Sequence, residues 1–370
     1  MTGVRASSER GAIGFAEKLL QLLDEGQFTA TYKYAVLLGL LDLCLENVSA
    51  KGVAPSVLTT RQLAEKTIAL YWPHTLPYTG KTGVLRQNAG SACTQAEILR
   101  AIARFRDDVA DDPFAPLERA KRQAAKRFER LTRTVEWKLI EMPLPRVQVV
   151  GVTEDRFIYD IAWDKNIRRS TVAAYQDGKP GQFDNRIALK PNVGDYLVEL
   201  NALLRPLVHR QWARMVARLN KLTEARLETF LFGAQRVPTN ALRPGLIELQ
   251  DGMCFYCRRA LKREVDVDHF IPWSRYPEDG VANLVAAHRT CNSAKRDFLA
   301  ATEHVERWRY RADDAAILRL ADDASWRNGR DDALSVARAI YLRLPVGTKL
   351  WLAGRKLLNA EPDGLREVLS

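Results

Sequence analysis

The sequence predicts an α+β fold that is mostly helical. Apolar residues recur at helical spacing through most of the chain, whereas short strand-like segments occur between residues 137 and 189 and again near residue 265. With 370 residues, 46% of them apolar, the chain can form several domains with substantial cores. We predict a helical N-terminal domain (1–113), a basic α+β domain (114–240), a compact module (241–300) and a helical C-terminal extension (301–370).

The first predicted domain consists of helices. Residues 15–23 carry an apolar stripe at helical spacing, and residues 32–45 are apolar enough to form a buried core helix. Thr59 and Gln62 have the spacing of a capping box, which predicts the start of a third helix, and the same spacing recurs at Thr94. No motif in this region identifies what the protein recognises.

The second predicted domain carries most of the positive charge. The whole chain has a formal net charge of +11, and residues 118–244 hold 24 Lys and Arg against 14 Asp and Glu. Such a surplus favours contact with phosphate groups. We predict that a basic helix over 118–138 binds nucleic acid through Arg122, Lys126 and Arg130, with a merely solvated helix face as the alternative.

Strands and a long helix are predicted to follow the basic helix. Gly and Pro punctuate the apolar segments in this part of the chain, and a helix-compatible stretch comes after them. The predicted strands are 137–150, 156–163 and 183–189, and the predicted helix is 195–222, bent at Pro206.

Targeting and membrane signals are missing from the sequence. The first ten residues are not followed by an apolar segment, and the longest apolar run, 35–41, is too short to span a bilayer. Cysteines are few, which fits a reducing compartment. We therefore expect a soluble cytoplasmic protein with no membrane partner.

Two pairs of metal-ligand residues lie in the third predicted domain. Cys254 and Cys257 form a CxxC pair, and His288 and Cys291 form an HxxC pair that begins 31 residues after Cys257. Structural zinc prefers four tetrahedral sulfur or imidazole ligands, and such sites are built from two pairs of this spacing. The alternative is that the cysteines are buried as small apolar side chains.

The residues between these pairs predict a strand, a loop, a second strand and a helix. Residues 264–271 alternate as a strand requires, and Pro272 ends it. A second strand is predicted over 283–287 and a short helix from Thr290 onward. On the first strand, Asp268 offers a hard oxygen ligand suited to Mg²⁺ or Mn²⁺, and the adjacent His269 suits a general base at neutral pH. Each of these two residues alone could have a structural role.

The stretch MCFYCRRALKREVDVDHFIPWSRYPEDGVANLVAAHRTCNSAKRDF resembles the HNH nuclease family, of the ββα-metal type with a structural zinc. The resemblance implies that Asn283 orients the base and that Asn292 completes the metal site with Asp268. A histidine at position 288 is a departure, because a cysteine is commoner there in the family, although zinc accepts either. We further predict that Lys295 and Arg296, one turn beyond Asn292, contact phosphate oxygens.

Together these features predict a metal-dependent HNH endonuclease with a structural zinc and a catalytic Mg²⁺ or Mn²⁺. The expected substrate is double-stranded DNA, and the resemblance implies a setting in restriction or anti-phage defence. Two alternatives stay open: an RNA-cleaving nuclease, and a zinc-containing nucleic-acid-binding protein without catalysis. The sequence also leaves open whether the chain forms a homo-oligomer or binds another protein.

Overall fold

The chain folds into two compact units, seen in a computed structural model that describes residues 2–26, 29–78, 83–90, 95–109, 112, 114–150, 153–179, 181, 183–233, 239–311 and 314–370. The first unit is Met1–Cys44 with Pro55–Gly233, and the second is Leu45–Ala54 with Ala234–Ser370. Helices make up 56% of the structure and the sheets are small, which confirms the α+β prediction. The division at 113, 240 and 300 stays a prediction, and residue 113 itself lies outside the described residues.

The first unit is dominated by helices. Thr59 caps one of them as predicted: its Oγ1 accepts from the Gln62 amide at 3.2 Å, and Gln62 Oε1 accepts from the Thr59 amide at 2.9 Å. The predicted start of a further helix at Thr94 lies outside the described residues. The helices are α1 (Thr2–Glu25), α2 (Tyr32–Glu46), α3 (Thr60–Tyr71), α4 (Glu97–Val109), α5 (Leu117–Gln123), α6 (Ala125–Glu141), α7 (Arg169–Gln176), α8 (Val193–Glu199), α9 (Asn201–Asn220) and α10 (Leu227–Phe232).

Short strands cross-link distant parts of this unit. β2 (Val149–Val150) and β3 (Thr153–Glu154) form a small antiparallel pair. A separate antiparallel sheet has the order β1 (Val57–Thr59), β5 (Arg186–Leu189), β4 (Tyr159–Ile161). The strands predicted over 156–163 and 183–189 are therefore confirmed in shortened form.

The strand predicted over 137–150 is wrong. Helix α6 continues to Glu141, and only residues 149–150 of the predicted segment are extended. The side chains of Phe128, Leu131, Val135 and Leu139 are all buried on one face of α6, so the helical spacing outweighs the apolar cluster that follows Trp137. Prolines 143 and 145 then prevent the helix from continuing.

The predicted helix 195–222 is in fact two helices, α8 and α9. They separate at Leu200, and α9 runs on through Pro206. Pro206 lies near the start of α9, where its missing N–H removes only one backbone hydrogen bond in the second turn. The buried Arg205 guanidinium donates to Asp42 at 2.5 Å and to Asn201 at 3.1 Å, and so ties α9 to α2.

A buried polar cluster organises the core of the first unit. Gln87 Oε1 accepts from Trp212 Nε1 at 2.7 Å and from Thr31 Oγ1 at 2.8 Å. The Gln87 amide nitrogen lies 3.2 Å from His74 Nδ1. His209 stacks on Phe232 with ring centroids 4.0 Å apart, and burial, aided by Arg205, lowers the pKa of His209 to about 3. This half-buried histidine is therefore neutral and packs against the edge of the core.

The second unit confirms the predicted strand, strand and helix. β6 (Val265–His269) pairs antiparallel with β7 (Leu284–His288), and α12 (Arg289–Lys295) follows directly. The other elements of this unit are α11 (Arg243–Leu249), α13 (Thr302–Arg309), α14 (Asp314–Asp323), α15 (Arg330–Tyr341), β8 (Lys349–Ala353), β9 (Lys356–Asn359) and α16 (Pro362–Leu369).

The early segment Leu45–Ala54 and the C-terminal residues complete this unit. The β8–β9 hairpin docks through Trp351, whose backbone N–H donates to the Leu299 carbonyl at 2.8 Å. From the early segment Leu45–Ala54, Glu46 Oε1 accepts from the Tyr276 hydroxyl at 2.8 Å. None of the helices in the described ranges has the length and apolar character needed to cross a membrane.

Candidate metal centre and active site

Four side chains converge at one end of the β6–β7 pair. The ligand atoms of Cys254, Cys257, His288 and Cys291 all lie within 4.8 Å of one another. The loop that carries the first two is a tight knuckle, in which the Cys254 N–H donates to the Arg259 carbonyl at 2.9 Å and Arg258 has a φ of 58°. His288 ends β7 and Cys291 lies on α12, so the strand and the helix bring the second pair to the first.

The hydrogen bond made by His288 Nε2 leaves Nδ1, the ring nitrogen beside the cysteines, available to bind a metal. Its Nε2 lies 3.2 Å from the Ala260 carbonyl and can only donate to it, so Nδ1 keeps its lone pair. That Nδ1 is 3.3 Å from Cys257 Sγ, within the cluster. Burial, together with the neighbouring Cys254 and Cys257, raises the pKa of the Cys291 thiol to about 12. A bound cation would compensate for this cost, and the donor set therefore fits a metal ion.

Asp268 is buried on β6 and has two close donors. Its Oδ2 accepts from the Tyr256 hydroxyl at 2.5 Å and lies 3.1 Å from Lys295 Nζ. Burial and the Asp268 charge raise the pKa of Tyr256 well above its usual value, so the phenol stays protonated and donates. Lys295 is fully buried, and its ammonium also donates to the His269 carbonyl at 2.8 Å.

The His269 side chain lies in different surroundings from its neighbour. Its Nε2 is 2.7 Å from Asp279 Oδ1, in the loop between β6 and β7. Its ring also lies near Trp273, with centroids 5.1 Å apart. The imidazole is only 15% exposed, so its position is set by these contacts rather than by solvent.

Asn283 holds the loop that follows His269. Its Oδ1 accepts from the Ile271 N–H at 2.8 Å, and its Nδ2 donates to the carbonyls of Ile271 and Glu278, each at 3.2 Å. The side chain thereby joins the two ends of the loop. The described contacts of the His269 ring are with other residues, so its predicted orientation by Asn283 stays a prediction.

Asn292 contacts a second carboxylate on β6. Its Nδ2 donates to Asp266 Oδ2 at 3.2 Å, and Arg289 Nε lies 3.4 Å from Asp266 Oδ1. Asp266 and Asp268 are two residues apart on one strand and project from the same face. The joint binding of a metal by Asp268 and Asn292 stays a prediction.

The comparisons with known families divide the chain in two. Residues 12–231, more than half of the chain, match a family model described as a domain of unknown function (DUF8808). The chain belongs to the DUF8808 family. Residues 254–301 match the HNH endonuclease family model, which confirms the predicted resemblance. No curated protein and no solved structure matches the chain.

The predicted nucleic-acid ligands lie both in the DUF8808 region and at the end of α12. Arg122, on α5, is exposed and pairs with Glu118 at 3.3 Å. Lys126 and Arg130 are exposed on α6, and within the described residues neither side chain forms an ion pair. Arg296 is also exposed, whereas Lys295 is buried against Asp268. Phosphate binding by these side chains stays a prediction.

Three residues near the β6–β7 pair were not identified from the sequence as site residues. Asp266 had a usable signal, since it is two residues from Asp268 and a strand places both on one face. Tyr256 and Asp279 had none, because each reaches its partner through a loop whose path depends on tertiary contacts. The DUF8808 region offered no catalytic motif.

Proposed function

We propose that the protein is a metal-dependent endonuclease that hydrolyses phosphodiester bonds in DNA. The observation that carries this proposal is the placement of Asp268, His269 and Asn292 on one strand and helix, beside a Cys3His cluster and within a match to the HNH endonuclease family. The match supports nuclease activity, and these side chains supply the proposed general base and the proposed metal ligands.

In this proposal His269 removes the proton from the attacking water. A histidine suits this role because its ordinary pKa lies near neutrality. Asn283 stabilises the backbone after the histidine through Ile271 and Glu278. Water attacks the phosphorus atom, the bond to the 3′ oxygen breaks, and that oxygen takes up a proton from solvent, which yields 5′-phosphate and 3′-hydroxyl ends.

Asp268 and Asn292 are the proposed ligands of one Mg²⁺ or Mn²⁺. The hydrogen bond from Tyr256 and the ion pair with Lys295 both fall on Asp268 Oδ2, and Asn292 uses its Nδ2, so each residue still offers a hard oxygen. When bound, such a cation acts as a Lewis acid on the phosphate and stabilises the leaving oxygen. Zinc in the Cys3His cluster would hold the module together without taking part in the reaction.

Binding of the DNA backbone is assigned mainly to the basic helices of the DUF8808 region. Lys126 and Arg130 expose their charges along α6, and Arg122 does so on α5. By contrast, residues 245–297 hold 8 basic and 8 acidic residues, so the HNH region itself has no surplus charge. Arg296 would add a phosphate contact close to the reaction, and Lys295 would add one only if it left Asp268.

One experiment separates this proposal from its alternatives. The purified protein is incubated with labelled duplex DNA and, separately, with labelled RNA, in Mg²⁺ or in EDTA, with His269→Ala as the matched control. Cleavage of DNA that requires Mg²⁺ and His269 is the expected result. Cleavage of RNA alone would favour the RNA nuclease, and tight binding without cleavage of either would favour the non-catalytic alternative.

A role in defence rests on the resemblance to nucleases of restriction and anti-phage systems. It is tested by plating phage on cells that express the wild-type protein or His269→Ala at equal levels. Reduced plating on the wild type alone is expected. Equal plating of several unrelated phages on both strains would contradict the defence role without affecting the nuclease proposal.

A further inference from the structure

The loop that contacts His269 is held by residues outside the region that matches the HNH family. We propose that Asp279 is the positioning residue for His269, and that Trp326 and Arg327, in the connection between α14 and α15, hold Asp279 in place. This inference rests on the proposed nuclease function and deepens it, because it makes the C-terminal extension part of the active site.

Asp279 and His269 are in direct contact. Asp279 Oδ1 lies 2.7 Å from His269 Nε2, and both side chains are mostly buried, at 20% and 15% exposure. An ionised carboxylate can only accept, so Nε2 carries the proton and Nδ1 keeps the lone pair. A single tautomer with Nδ1 free is what a base facing the substrate water requires.

The backbone of Asp279 is held from the C-terminal extension. The Trp326 indole N–H donates to the Asp279 carbonyl at 2.6 Å, and the Trp326 side chain is buried. Two residues further on, the Val281 N–H donates to the Arg327 carbonyl and the Ala282 N–H to the Asn328 carbonyl, each at 2.9 Å. The end of the loop between β6 and β7 is therefore hydrogen-bonded to residues that lie more than 20 positions after the end of the HNH family match.

Ion pairing and close packing fix the same junction. Arg327 pairs with Glu278 and with Asp332, and Glu278, foremost among its neighbours, raises the Arg327 pKa well above its usual value. At Gly280 an added Cβ would lie 3.1 Å from the Asn328 carbonyl oxygen and 3.2 Å from the Gly329 Cα. Only glycine lets the loop approach the connection this closely without displacement.

This arrangement gives the carboxylate a defined part in proton transfer. As His269 Nδ1 takes the proton from water, the resulting imidazolium faces the Asp279 carboxylate, which stabilises its charge. The proton stays on the imidazole during the attack, and the bond to the 3′ oxygen breaks as the new phosphorus–oxygen bond forms. The departing 3′ oxygen takes up a proton from solvent, and the imidazolium afterwards returns its proton to solvent. Asp279 itself touches neither water nor phosphate in this scheme, and acts only through His269.

The first test is Asp279→Asn in the full-length protein, with Asp323→Asn as the matched control at an exposed position on α14. Loss of the partner that orients a metal-binding imidazole typically reduces activity by about 10–100-fold, and we expect an effect of this size for His269. We expect kcat to fall by this factor with KM unchanged, and Asp323→Asn to retain wild-type kcat. A kcat within twofold of the wild type in a folded Asp279→Asn protein would overturn the proposal.

The second test observes the tautomer of the His269 imidazole directly and does not depend on catalytic activity. The five histidines are labelled with ¹⁵N, and the His269 signals are assigned by their loss in His269→Ala. The wild type should show an Nε2–H tautomer that becomes mixed in Asp279→Asn. An unchanged tautomer in Asp279→Asn would refute the positioning role even if activity fell.

Trp326→Phe tests the contribution of the extension. It retains an aromatic ring but removes the N–H that donates to Asp279, and Trp163→Phe is the control because its indole also donates to one backbone carbonyl, that of Ile140. A fall in kcat for Trp326→Phe alone is expected. If the two variants behave alike, the extension has only a general stabilising role.

The outcomes also separate this inference from the proposed function. If His269→Ala cleaves DNA at the wild-type rate, the nuclease mechanism itself fails. If His269→Ala is inactive while Asp279→Asn retains full kcat, the nuclease stands and only the positioning role is lost.

Discussion

Asp268 and His269 are adjacent in the sequence, but β6 directs them into different environments. Asp268 is buried against Tyr256 and Lys295, whereas His269 contacts Asp279 in the following loop. The alternation of a strand predicts that neighbouring side chains point to opposite faces, and this much could be inferred from the sequence. The partners could not, because they come from a loop and a helix whose positions depend on packing.

His269→Ala should abolish most cleavage. A positioned general base contributes about 10²–10⁴-fold in rate, and alanine removes it while leaving the backbone of β6 intact. Single-turnover cleavage measures the loss, and DNA binding by the variant should match that of the wild type. Full activity in a folded His269→Ala protein would contradict the mechanism.

Lys295→Ala should destabilise the second unit. Lys295 is completely buried and pairs with the buried Asp268, and removal of one partner of such a pair typically costs about 3–5 kcal/mol because the other charge is left uncompensated. Thermal and denaturant unfolding measure the effect, with the exposed Lys262→Ala as control. A Lys295→Ala protein of wild-type stability but raised KM would instead support the predicted phosphate contact.

At the scale of elements, the sequence predicts structure best where each element has its own local signal. The module of β6, β7 and α12 has metal-ligand pairs, alternation and a terminating proline, and all three elements occur where expected. Helix α6 was partly mistaken for a strand because the apolar residues after Trp137 fit either period over a short window. In the sheet of β1, β5 and β4, the last two strands were predicted in longer form, whereas the three-residue β1 has no local signal and pairs with β5 across more than 100 positions.

The Cys3His cluster should determine whether this module folds. Structural zinc contributes on the order of 10 kcal/mol of apparent folding free energy in small modules, which is comparable to the stability of a whole domain. Cys257→Ala or Cys291→Ala should therefore unfold the second unit locally and abolish cleavage. Hydrogen exchange locates the unfolding, and elemental analysis of the wild type should find one zinc per chain. Active protein that contains almost no zinc would refute this role.

At the scale of the whole molecule, charge and proposed chemistry are located in different parts of the sequence. Residues 118–244 provide ten of the eleven net positive charges, whereas the proposed catalytic residues lie between 268 and 292. Because the basic region lies largely within the DUF8808 match, that domain is the expected source of most nonspecific affinity for DNA. What target it selects was not predictable, because recognition depends on surface shape and no motif encodes it.

Replacement of Arg122, Lys126 and Arg130 with alanine should weaken DNA binding and its dependence on salt. Each lost phosphate contact is expected to flatten the log–log salt dependence by about 0.9, so the triple variant should lose roughly two to three units of slope. Binding across a salt series measures this, with an alanine triple variant of Lys349, Arg355 and Lys356 as a charge-matched control. Superimposable lines for the wild type and the first variant would exclude α5 and α6 from the interface.

The early segment Leu45–Ala54 belongs to the second unit, and this has a consequence for synthesis of the protein. A ribosome completes this segment long before it reaches Ala234, where the remainder of the unit begins. The Tyr276 hydroxyl finds its acceptor, Glu46, on a part of the chain that was made more than 200 residues earlier. Leu45–Ala54 therefore cannot make this native contact until synthesis has passed Tyr276, and it must stay accessible while residues 55–233 are made.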